Sequence, residues 1–221
     1  MLAGLPLAAP VAAAERDVAY AAYQTGHYRR ALSEALKRIE ADSKDAAAMT
    51  LVGEIYRQGL GVRPDQTVAT EWYERAAERG DINAAYALAI ALLDTTGPRR
   101  DPDRAAVLMR RAAEAGHPAA NYNLALAWLA TGQPDDEARA IKSLEIAARG
   151  GIPDALHALA TLARQGRGMP RSDEQAARWM AQAAAAGHLP AEIEYAIMLF
   201  NGTGVARDET AAAKLFLRAA G

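Results

Sequence analysis

Four histidines are the residues best suited to acid–base or metal chemistry. His27 follows Gly26, His117 follows Gly116 and His188 follows Gly187. Each therefore sits just beyond a glycine that can end a helix, where the helix C-terminal dipole reaches an imidazole and a structural role is expected. His157 lies within an apolar periodic stretch. No His-Glu-x-x-His pattern, no pair of histidines at i and i+4 and no Cys/His cluster occurs, so no metal site and no cofactor is expected. The chain has no cysteine, which removes thiolate nucleophiles, thiolate zinc sites and disulfides together. There is no Gly-x-Ser-x-Gly elbow, and Ser33, Ser43, Ser143 and Ser172 fall on helix surfaces or at a helix start. The Gly-x-Gly loops at Gly59-Gly61, Gly166-Gly168 and Gly202-Gly204 follow helical patterns, whereas a phosphate cradle needs a strand before the loop. Asp135-Asp136 reads as helix-capping chemistry, and Arg99-Arg100 and Arg110-Arg111 read as solvated charge. Trp72, Trp128 and Trp179 are expected to pack in the core. This inventory contains no catalytic constellation.

The elements that must position these residues repeat. An Ala-Ala pair recurs at Ala76-Ala77, Ala112-Ala113, Ala147-Ala148, Ala183-Ala184 and Ala219-Ala220, spaced 36, 35, 36 and 36. Seven residues before each pair stands Ala69, Ala105, Ala140, Ala176 or Ala212, and four before that Asp65, Asp101, Asp136, Ser172 or Asp208. The last five are residue types that cap a helix N-terminus. Gly80, Gly116, Gly151 and Gly187 follow the pairs. A second series, Val52-Gly53, Leu88-Ala89, Leu124-Ala125, Leu159-Ala160 and Tyr195-Ala196, marks another helix in each period, with a small residue where a neighbour must come close. Alanine makes up 56 of the 221 residues, and only 13 are aromatic. An alanine-rich two-helix period points to an all-α fold in which helix pairs bury their faces by stacking. A formal net charge of −2 excludes the basic excess expected of a nucleic-acid binder.

The run Val52-Gly53-Glu54-Ile55-Tyr56, with Gly59-Leu60-Gly61-Val62, Asp65, Ala69, Trp72-Tyr73, Ala76-Ala77 and Gly80, resembles the Sel-one-like repeat, a relative of the tetratricopeptide repeat. Five units are placed at 46–81, 82–117, 118–152, 153–188 and 189–221. One extra residue is read in the link His188-Leu189-Pro190. The resemblance implies a right-handed α-solenoid superhelix of antiparallel helix pairs. Residues 15–45 resemble a tetratricopeptide-like pair, with helices near 15–25 and 27–41 around Gly26-His27. Its solvated outer face would carry Arg16, Arg29, Arg30, Glu34, Lys37, Arg38 and Glu40. At the other end Leu215, Phe216 and Leu217 crowd the last helix, which predicts either further repeats or packing on a partner, including self-association.

Residues 1–14, MLAGLPLAAPVAAA, are uncharged, too short for a membrane span, and offer Ala12-Ala13-Ala14 as a cleavage site. They read as a signal-peptide remnant or a disordered tail. A periplasmic or secreted location is expected, with the cytoplasm as the alternative.

In the tetratricopeptide-like arrangement the first helix of each pair lines the concave face. By position this places Thr50, Tyr86, Tyr122, His157 and Ile193 in one row and Glu54, Ile90, Leu126, Thr161 and Ile197 in a second. Arg57, Leu93, Leu129, Arg164 and Phe200 form a third. Arg57, Tyr86, Tyr122, Asn123, His157 and Arg164 are the expected partner-binding residues, supported by Ile90, Leu93, Leu126, Leu129, Ile197 and Phe200. The function expected is that of a non-catalytic scaffold or adaptor holding a peptide or helix of a protein partner, in envelope assembly or signalling regulation. Two alternatives stand beside it. Some cysteine-rich members of the resembled family bind or hydrolyse β-lactams, against which the missing cysteine argues, and the array could instead form a self-associating structural oligomer.

Overall fold

The computed structural model describes residues 17–95, 97 and 99–220. The signal-like stretch at 1–14 lies outside them. Among the described residues the regular elements are twelve α-helices. An initial pair, α1 (Val18–Gln24) and α2 (Tyr28–Ala41), turns at Gly26. Five further pairs follow. These are α3 (Ala46–Gln58) with α4 (Gln66–Glu78), α5 (Ile82–Leu93) with α6 (Pro102–Glu114), and α7 (Pro118–Thr131) with α8 (Pro134–Arg149). The last two are α9 (Pro153–Gln165) with α10 (Asp173–Ala185), and α11 (Leu189–Asn201) with α12 (Glu209–Ala220). The chain divides into two compact units, Met1–Leu108 and Met109–Gly221.

Local chemistry sets the helix starts. Asp65, Asp101, Ser172 and Asp208 each accept a hydrogen bond from the backbone N–H three residues on, as the period predicts. Asp136 does not. Pro134 begins α8 two residues before it, because proline fits the first helical turn, and Gln133 takes the cap position. The Asp136 carboxylate instead accepts from the Thr131 hydroxyl at 2.9 Å and from Arg139 at 3.2 Å. The expected extra residue near His188 is also absent. His117 and His188 are equivalent caps, and proline occupies the first helical position in α7 but the second in α11. Both imidazoles act forward, on the next helix: Nδ1 accepts from the N–H of Ala120 at 3.2 Å and of Ala191 at 3.1 Å.

The repeated alanines are the packing surface. Ala69, Ala105, Ala140, Ala176 and Ala212 are all buried, as are Ala76, Ala112, Ala147 and Ala183. In the second unit, Leu144 of α8 shares a core with Ala125 of α7 and with Ala155, Leu159 and Leu162 of α9. Met180 of α10 likewise lies among Ala160 and Ala163 of α9 and Ala191 and Met198 of α11. α8 and α10 are thus each covered by the first helix of their own pair and by that of the next. The Gly-x-Gly loops serve this stacking. A Cβ on Gly204 would stand 2.0 Å from the Asp173 carbonyl oxygen, so only glycine allows the loop to lie on the start of α10.

Two arginines expected on a solvated face are engaged instead. Arg38 forms a bidentate pair with Asp45, at 2.9 and 3.1 Å, and also meets Asp17 at 3.1 Å. Arg29 donates to the Gly61 carbonyl. Together these contacts tie the initial pair to the first repeat. The tryptophans are half-buried at core margins rather than enclosed, with the Arg75 guanidinium 4.1 Å above Trp72.

Candidate interaction surface

Four of the expected residues lie in the first unit. Arg57, near the end of α3, reaches back one turn to Glu54 through Nε at 2.9 Å and Nη2 at 2.5 Å. Tyr73 on α4 donates its hydroxyl at 2.7 Å to Glu54 Oε2, the oxygen that also accepts from Arg57 Nε. That reach is possible because residue 53 is glycine: a Cβ there would stand 2.6 Å from the Tyr73 ring. Gln58 donates to Glu54 and, at 3.2 Å, to the Tyr23 hydroxyl. The Arg57 hydrogen bond is the main cause holding the Glu54 carboxyl down at about 2, against the opposing effect of burial, with Tyr73 and Gln58 adding to it. Burial first, then the hydrogen bond to Glu54 and its charge, push the Tyr73 phenol well above its usual range. On α5, Tyr86 is half-buried, while Ile90 and Leu93 are exposed.

The second unit holds the other eight. On α7, Tyr122 and Asn123 are half-buried, Leu126 is exposed, and Leu129 packs on the Leu144 core. Burial and the Asp154 charge raise the Tyr122 hydroxyl. On α9, His157 Nε2 lies 2.9 Å from Glu194 Oε1 of α11. Arg164 Nη1 lies 3.2 Å from Glu194 Oε2. That Oε2 is closed to solvent and, despite the ion-pair contact, accepts no hydrogen bond. The His157 ring is also 4.9 Å from that of His188, whose Nε2 is 3.5 Å from Asp154. Along α11, Ile193, Ile197 and Phe200 are all exposed, Ile197 at 46% and Phe200 at 49%, with the Arg207 guanidinium 5.7 Å over the Phe200 ring.

The structure therefore brings His157 and Arg164 together through Glu194 and sets them beside an exposed apolar row. By position Glu194 neighbours the first row, one residue after Ile193, while position alone does not bring Asp154 or His188 to this cluster. The usable signal was a carboxylate at 194, where the equivalent residues are Leu51, Ala87, Asn123 and Ala158. The cluster pairs an imidazole and a guanidinium with one carboxylate. The nearby Thr161 hydroxyl is spent on the His157 carbonyl at 3.0 Å. Among the described residues, no group of three or more His, Asp and Glu could hold a metal ion, and no helix is long and apolar enough to cross a membrane.

A row of exposed apolar side chains on stacked helix pairs defines a class: an all-α helical repeat solenoid with an open side-chain surface. The Sel1 repeat model matches residues 46–81, 82–117, 118–152, 153–188 and 189–220, and the chain belongs to that family. Among solved structures it is similar to c5321, a protective antigen present in uropathogenic Escherichia coli strains that displays an SLR fold. The identity is 27%, over 87% of this chain and 41% of that one, with a TM-score of 0.76. The chain thus spans less than half the length of that antigen. A Sel1 repeat protein from Oxalobacter formigenes is 23% identical over 91% of this chain and 83% of that one, also with a TM-score of 0.76. The immunity protein Pa5087 from Pseudomonas aeruginosa shares the fold at 18% identity and a TM-score of 0.61, over 97% of this chain and 84% of that one. No curated protein sequence matches the chain.

Proposed function

We propose that this chain is a non-catalytic interaction module that holds a segment of a protein partner against the first helices of its second unit. One observation carries the reading: Leu126, Ile193, Ile197 and Phe200 are exposed beside the Glu194–Arg164–His157 cluster. Exposed apolar side chains supply anchoring energy, and a fixed polar cluster next to them sets register and rejects mismatched partners. A peptide or helix with two or three apolar anchors suits this surface. The test compares the full chain with a Phe200→Ser/Ile193→Ser variant as bait in the native host. Proteins captured by the wild type and lost from a variant of unchanged circular dichroism support the reading. An identical set from both baits overturns it.

The uncharged, alanine-ended start of the sequence favours action in the periplasm or outside the cell. N-terminal sequencing of the protein from its native host is then expected to begin at Glu15, and an intact Met1 refutes this.

A further inference from the structure

The first helices of the five repeats have Asp45, Asp81, His117, Ile152 and His188 at their N-caps. Asp45 accepts from the N–H of Ala48 at 3.0 Å, and Asp81 from that of Ala84 at 2.7 Å. At the equivalent place in α11, His188 accepts from the N–H of Ala191 at 3.1 Å through Nδ1. The two kinds of cap differ in chemistry. A carboxylate remains a charged acceptor at neutral and mildly acidic pH, and its charge suits the positive end of a helix. An imidazole accepts only through a bare nitrogen, so the one proton of the neutral His188 ring sits on Nε2. A second proton turns that acceptor into a donor facing a donor, and sets a cation at a helix N-terminus.

The groups around His188 give this change a direction. From α9, Asp154 lies 3.5 Å from its Nε2, and the His157 ring lies 4.9 Å from its own, centre to centre. On α11, Glu194 meets His157 and Arg164. Glu192 meets Arg218 of α12, which also donates to the Ala184 carbonyl near the end of α10. His157 can take a proton and keep its contact, because a carboxylate faces its Nε2 at 2.9 Å. His188 cannot, because its Nδ1 faces an N–H. A charged His188 therefore keeps Asp154 on α9, repels a charged His157 and gives up Ala191 on α11. Its side chain is only 13% exposed, so water does not fully replace the lost partner. We propose that His188 is a proton-operated latch: neutral, it caps α11, and protonated, it releases the first turn of that helix while staying on α9. α11 also carries Ile193, Ile197 and Phe200. A pH-dependent hold on a partner would rest on the function proposed above, whereas the latch itself does not.

Amide exchange by NMR on the full chain, corrected for the intrinsic pH dependence of exchange, tests the latch. It is read at about pH 8 and about pH 5, either side of the range in which histidine side chains change charge. Ala48, capped by Asp45, is the internal reference. Protection of the Ala191 amide is expected to fall about fivefold in acid, the effect of losing one cap, with Ala48 constant within about twofold. In His188→Asn, whose side chain caps without titrating, the fall at Ala191 is expected to stay under about twofold. Ring-nitrogen chemical shifts of His188 are expected to show Nδ1 bare at the higher pH and protonated at the lower. A protonated Nδ1 at the higher pH overturns the proposal. So does Ala191 protection that is constant with pH, that falls no further than that of Ala48, or that falls as far in His188→Asn.

Discussion

Glu54 and Glu194 are both carboxylates on first helices, yet they do opposite things. Glu54 is enclosed: Arg57 from its own helix, Tyr73 from the second helix of its pair and Gln58 all donate to it. Glu194 is shared between pairs, with His157 and Arg164 both coming from the preceding first helix and one oxygen accepting no hydrogen bond. The two stand at different positions of the repeat, Glu54 where Ile197 is found and Glu194 where Leu51 is found. Gly53 leaves room for the Tyr73 ring, whose hydroxyl reaches Glu54, whereas Glu194 is met by side chains of the preceding first helix. The first carboxylate is thereby a lock on the fold. The second is a polar link between two helix pairs, beside exposed apolar side chains.

The largest expected effect separates these two roles by stability. Glu54 titrates near 2, below the ordinary 4.5. At about 1.4 kcal/mol per pKa unit, and discounting for the part of the side chain that meets solvent, its ionisation contributes on the order of 2 kcal/mol. The sign follows from the depressed value. This stability is fully present above about pH 4.5 and is lost as pH falls through the folded-state value near 2. Urea unfolding at neutral pH is expected to show Glu54→Gln destabilised by about 2 kcal/mol, with the limb between those two pH values flattened relative to wild type. Glu194→Gln is expected to cost less than about 1 kcal/mol at neutral pH. Equal losses in the two variants would erase the distinction between lock and site.

How much of this was legible in the sequence depends on what each contact spans. The caps at Asp65, Asp101, Ser172 and Asp208 bridge three residues and recur with the period, so residue type and spacing suffice to place them. Asp136 misled because Pro134 starts its helix sooner, a local competition that the repeat spacing conceals. The exposed row at Leu126, Ile193, Ile197 and Phe200 was readable because equivalent positions in stacked pairs share a face. The two carboxylate networks were not. They join residues 19 and 37 apart through particular rotamers, at positions where one repeat departs from the others. Glu54 stands where Ile90, Leu126, Thr161 and Ile197 are otherwise found. A charge at an apolar position in the period marks a local exception, but it does not say which neighbour answers it.

The smallest expected effect bears on the second unit's side of the comparison. If Ile197 belongs to a surface kept open for a partner, its side chain contributes little to the fold. It is 46% exposed, and its equivalent in the preceding repeat, Thr161, shows that a smaller β-branched residue is accommodated there. Ile197→Thr is therefore expected to shift unfolding by less than about 0.5 kcal/mol, the range of surface substitutions away from caps and cores. Ala196→Val, one residue away, places extra methyls in a position that is fully buried against Leu199 and Ala212. Overpacking there is expected to cost about 1–3 kcal/mol, so the two adjacent variants should separate clearly in the same urea titration. A loss for Ile197→Thr as large as for Ala196→Val would mean that the row is held in place by the fold, and the exposed apolar side chains would then need a structural explanation rather than a partner.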